Sequence, residues 1–102
     1  IVTVNFGPQD YATRTRLGGE VRLPTYGFTV ESPTFVAFHA GSWNGLRYDW
    51  PPLFTLRSLD GQVLERSGAV RVFHGFGDAR LAWNGRGILT IEKERTLGKL
   101  GR

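Results

Sequence analysis

A chain of 102 residues without cysteine has the size of one domain that can bury a core unaided, with neither a disulfide framework nor thiol chemistry. Thirteen Lys and Arg against nine Asp and Glu leave a net charge of +4, which brings an acidic polymer such as nucleic acid into consideration. No apolar run approaches the ~20 residues of a membrane-spanning helix, so no membrane partner is expected.

The chain starts at Ile1 rather than Met, as expected where a leader or a preceding domain has been removed. The lack of cysteine leaves secretion open. Val2 to Phe6 alternates and stops at Gly7-Pro8, a first strand. Tyr11 to Leu17 is polar and reads as a loop or irregular edge, closed by Gly18-Gly19. In the next strand Val21 and Leu23 face one way, Glu20 and Arg22 the other. Beyond the Pro24 to Gly27 turn, Phe28 and Val30 continue that alternation, and Thr34 to Ala40, apolar on both faces, predicts a central strand.

Gly41 to Pro52 is expected to be a loop. Phe54 and Leu56 then alternate with Thr55 and Arg57, and Asp60-Gly61 reads as a tight reversal bracketed by Leu59 and Val63. Val70, Val72 and His74 alternate with Arg71 and Phe73; Leu81 and Trp83 share the core phase of a strand over Ala79 to Asn84. The turn Asn84 to Gly87 leads into a last strand over Ile88 to Glu92. The one helix-compatible stretch, Glu92 to Leu100, is weakened by Gly98 and carries no apolar stripe. The sum is an all-β chain of about eight short strands, a two-sheet antiparallel β-sandwich of immunoglobulin-like or jelly-roll type. The sandwich domain is assigned to residues 1–94, with 95–102 a basic, Gly-containing tail.

The stretch from Gly41 to Pro52 carries the clearest chemistry. Trp43, Tyr48 and Trp50 stand among Asn44, Arg47 and Asp49. A pyranose offers an apolar C–H face to an aromatic ring and hydroxyls to amides, carboxylates and guanidinium groups, so these six residues supply both halves of a sugar site. The competing reading turns Tyr48 and Trp50 inward over the open end of the sandwich, and Trp50 is expected there. Trp43 is divided evenly between platform and core, and Trp83 is expected in the core. Tyr11 and Tyr26 either widen a binding face or pack over a sheet edge.

No catalytic residue is assigned. The nine acids are scattered through turns and strand edges without a facing pair, and the Gly-X-Ser-X-Gly nucleophile pattern and phosphate-cradling loops are missing. His39 and His74, the only two histidines, lie within separate strands, where each is expected to hold one ring nitrogen in a hydrogen bond; no metal or other cofactor is predicted. The basic residues are spread along the chain, which argues against nucleic acid as the partner.

Ser58-Leu59-Asp60-Gly61, Leu64, Ser67 and Val70-Arg71-Val72, with the upstream runs Gly19 to Leu23 and Gly27 to Pro33, resemble the accessory β-sandwich domain that follows the catalytic barrel in multidomain glycoside hydrolases. The likeness spans Gly18 to Gly75, departs at Gln62-Val63 where a Pro often sits, and offers no counterpart for Gly41 to Pro52. It implies a non-catalytic module that binds a polysaccharide or oligosaccharide, or braces the catalytic domain of the same parent protein. A purely structural interaction domain is the alternative, and a basic nucleic-acid-binding domain a weaker one.

Overall fold

A computed structural model describes residues 1–15, 18–82 and 88–97. Twelve short strands make up its regular structure, and no helix occurs among the described residues: β1 (Val2–Val4), β2 (Tyr11–Arg14), β3 (Glu20–Leu23), β4 (Phe28–Ser32), β5 (Phe35–His39), β6 (Ser42–Trp43), β7 (Leu46–Arg47), β8 (Leu53–Ser58), β9 (Val70–Phe76), β10 (Arg80–Ala82), β11 (Ile88–Thr90) and β12 (Glu94–Leu97). They pair antiparallel into a six-stranded sheet in the order β1-β4-β5-β8-β9-β12, a four-stranded sheet β2-β3-β6-β7 and a two-stranded ribbon β10-β11.

Alternation places the core. On β3, Val21 and Leu23 are buried while Glu20 and Arg22 are exposed. On β5, Val36 and Phe38 point to the same buried side, met by Leu56 and Phe54 of β8 and by Val72 of β9. One apolar cluster joins these residues to Val21, Leu23 and Trp43 of the four-stranded sheet and to Leu81 of the ribbon. Strand β5 lies inside its sheet, between β4 and β8, as its two apolar faces predict.

Four departures from the sequence reading have local causes. Tyr11–Arg14, read as a loop or irregular edge, is an edge strand in regular register with β3, and Thr15 closes it by bonding Gly19. The run from Gly41 to Pro52 is not all loop. Asn44 and Gly45 take φ of 50° and 80°, the two left-handed positions of a tight hairpin turn, and so pair Trp43 with Leu46. The turn at Asp60-Gly61 is also not a hairpin: Gly61 has φ of 76°, but β8 ends at Ser58 and β9 begins at Val70.

The intervening loop is organised by one side chain. Asp60 accepts the backbone N–H groups of Gln62 and Gly68 and the hydroxyls of Ser58 and Ser67. Within this loop Leu64 drops fully buried into the core. Last, the chain continues past Ile91 into β12, which pairs with β9, so Arg95 to Leu97 are strand residues rather than the start of a tail. Trp83 and the turn of residues 84–87 lie outside the described residues.

Candidate functional site

Of the two readings open for Trp43 the core holds, whereas Trp50, expected to fold inward, is exposed. Trp43 is 1% exposed, and its ring lies parallel to Phe38 at 4.1 Å between centroids. The hairpin turn forces this, since pairing Trp43 with Leu46 aims the indole back at the six-stranded sheet. Trp43 therefore presents no face to a ligand. Trp50 is 67% exposed. Pro51 and Pro52 stiffen the chain behind it, and the Trp50 carbonyl accepts the Asp78 N–H at 2.9 Å, tying the loop to the segment after β9.

The other four predicted residues divide. Asn44 is committed to structure, its amide donating to the Ala82 carbonyl at 3.0 Å. Tyr48 is buried; its hydroxyl, the Ser42 hydroxyl and the Trp43 indole N–H have no hydrogen-bond partner among the described residues. Burial pushes the Tyr48 phenol up, the charge of Asp78 adds to the rise, and Arg80 opposes it. Arg47 and Asp49, shortly before Trp50 in sequence, are exposed.

Two residues not predicted for the site complete its polar side. Arg80 grips Asp78 with a two-point fork, Nε to Oδ1 at 3.0 Å and Nη2 to Oδ2 at 2.7 Å, and also donates to the Arg47 carbonyl at 3.2 Å. The Arg80 hydrogen bonds hold the Asp78 carboxyl below its usual range, and Asp78 raises Arg80 in turn. Gly77 lets this corner close: its φ is 83°, and a Cβ there would stand 2.5 Å from the Pro51 carbonyl oxygen and 2.6 Å from the Pro52 Cα. Asp78 and Arg80 give little signal in sequence, because only long-range contacts, Asp78 to the Trp50 carbonyl and Arg80 to the Arg47 carbonyl, bring them beside the loop.

More exposed rings gather at the same end of the six-stranded sheet. Phe6 follows β1 and Tyr26 precedes β4; they are 77% and 70% exposed and meet edge to face at 6.4 Å. Register shows what joins them to Trp50. On the face turned away from the core, Val4, Phe28, His39, Leu53 and Phe76 form a row across five strands. A bulge between β8 and β9 keeps Phe76 on this face. Phe28 touches the His39 ring at 6.4 Å and His39 the Phe76 ring at 5.3 Å.

The His39 Nδ1 lies 3.1 Å from the Pro52 carbonyl oxygen, the single ring-nitrogen bond expected. His74 differs, with both ring nitrogens against carbonyl oxygens, Glu92 at 2.9 Å and Gly77 at 3.1 Å. A second row, Val2, Val30, Ala37, Thr55, Phe73 and Glu94, is apolar over most of its length. The third, Ser32, Phe35, Arg57, Arg71 and Thr96, is polar and basic. Comparison with protein-family models, with curated proteins and with solved structures finds no match.

Proposed function

We propose that this chain is a non-catalytic β-sandwich module, with the six- and four-stranded sheets as its two layers, that binds a polysaccharide or oligosaccharide at the Trp50 end of the larger sheet. The observation that carries this is the exposed Trp50, whose carbonyl is bonded to the backbone of Asp78 in the Asp78–Arg80 pair and which follows the exposed Arg47 and Asp49 in sequence. An indole offers the apolar surface that suits a sugar C–H face, and these charged groups suit hydroxyls, which both donate and accept. Arg57 and Arg71 stand at the opposite end of the face from the aromatic row, and Arg71 is paired with Glu94, which lends no support to a nucleic-acid role.

The test is affinity electrophoresis through gels containing soluble polysaccharides. Retardation of the wild type by at least one of them, reduced ~10-fold or more in apparent affinity for Trp50→Ala at unchanged melting temperature, is the expected result. Equal retardation of both proteins would overturn the assignment to Trp50.

A second reading, bracing of a neighbouring catalytic domain, draws on the second row. Val2, Val30 and Phe73 extend the apolar surface beyond what one sugar chain covers, and contiguous apolar patches of that kind mark protein interfaces. It accords with the resemblance to glycoside hydrolase accessory domains and predicts no glycan affinity for the isolated module.

A further inference from the structure

We infer that the aromatic row across the outer sheet face is an extended subsite, so that the module recognises the interior of a single glycan chain rather than a terminal sugar; this rests on the glycan-binding reading above. Three observations combine. The row runs from Phe28 on β4 to Phe76 on β9, about 14 Å at the usual strand spacing, and therefore exceeds one sugar ring. Exposed rings stand at both of its ends, Tyr26 with Phe6 at one and Trp50 at the other.

The Tyr26 end is built rather than incidental. Tyr26 has φ of 65°, a left-handed conformation that a bulky side chain rarely adopts. It is held there by its N–H bond to the Asn5 carbonyl at 2.6 Å and by the Gly27 N–H bond to Pro24 at 2.7 Å. Asn5, itself buried, fastens the facing loop through its side chain to Gly7, Gln9 and Leu23. A turn residue that favours glycine here carries a phenol ring and exposes it.

Ring tilt narrows the ligand further. The Phe28 and His39 planes differ by 50°, those of His39 and Phe76 by 65°. No common plane exists to lie flat on a crystalline sugar surface. A single chain, whose rings rotate about their linkages, can follow the row.

Calorimetry with β-1,4-linked gluco-, xylo- and manno-oligosaccharides and α-1,4-linked gluco-oligosaccharides, each from disaccharide to hexasaccharide, tests this. The wild type should gain about tenfold or more in affinity between the shortest and longest member of the series it binds, one aromatic contact being worth about that factor. Tyr26→Gly removes the ring and suits the backbone, so it should stay folded, keep the disaccharide affinity and lose most of the gain. Affinity independent of length, the same gain in Tyr26→Gly, or stronger retention on crystalline cellulose than on the soluble series would overturn the inference while leaving the Trp50 site standing. No binding to any series would overturn both and leave the row as a protein-docking surface.

Discussion

Replacing Trp43 by Ala separates core from platform. With 1% of the residue exposed, truncation removes most of an aromatic burial of ~150–250 Å², worth about 4–6 kcal/mol at ~25 cal/mol per Å². Two smaller effects oppose one another. Loss of the parallel contact with Phe38 adds ~0.5–1.5 kcal/mol, whereas removing an indole N–H that has no partner among the described residues returns about 1–3 kcal/mol. The expected net loss is ~3–5 kcal/mol, as for other emptied aromatic sites.

In urea, with a slope of ~2 kcal/mol/M, that moves the unfolding midpoint down by about 2 M. A domain this size holds only ~5–15 kcal/mol in all, so Trp43→Phe serves as the graded companion. It keeps a ring against Phe38, drops the N–H, and should lose less than half as much. A Trp43→Ala midpoint within ~0.3 M of wild type would refute the placement of this ring in the core.

Other positions give sharper local tests. Gly77→Ala should destabilise by more than ~1 kcal/mol, since the new Cβ meets Pro51 and Pro52 at a left-handed φ, and should also increase the solvent quenching of Trp50; a neutral melt would contradict the close approach. The Gly68 N–H, then the Ser67 hydroxyl and the Gln62 N–H, hold the Asp60 carboxyl down at about 2 from an ordinary value of 3.8. Because the folded form binds its proton more weakly than the unfolded chain, Asp60 stabilises fully above about pH 4 and loses that contribution as pH falls toward 2. Melting temperature against pH should therefore fall less steeply in this acid range for Asp60→Asn, from a lower plateau; identical slopes would mean that the loop is not held by this carboxylate.

Much of the sheet structure is legible from alternation alone, as in Glu20 to Leu23 and Phe54 to Arg57, because each strand buries one face against a common core. The central position of β5 follows from its two-sided apolar character. The placement of Trp43 and Trp50 has a different origin. Asn44-Gly45 between Trp43 and Leu46 is a hairpin signal of the strongest short-range kind, and following it sends Trp43 inward; composition alone makes the whole stretch look like a loop.

Trp50 carries no such local signal. The loop that carries it is fastened by Gly77 and Asp78 approaching from beyond the end of β9, a long-range contact. The same holds for the aromatic row, in which Phe28, His39 and Phe76 come from three strands and meet only through register, and for Asp60, whose partners Ser67 and Gly68 return after an excursion that resembles a strand in sequence.

Tryptophan fluorescence tests the central claim, that a sugar chain covers the Trp50 ring. On saturating the wild type with a soluble polysaccharide that retards it in gels, emission should shift to the blue and acrylamide quenching should fall, with neither change in Trp50→Ala. A wild type unaffected by every polysaccharide, or a response that persists in Trp50→Ala, would contradict it.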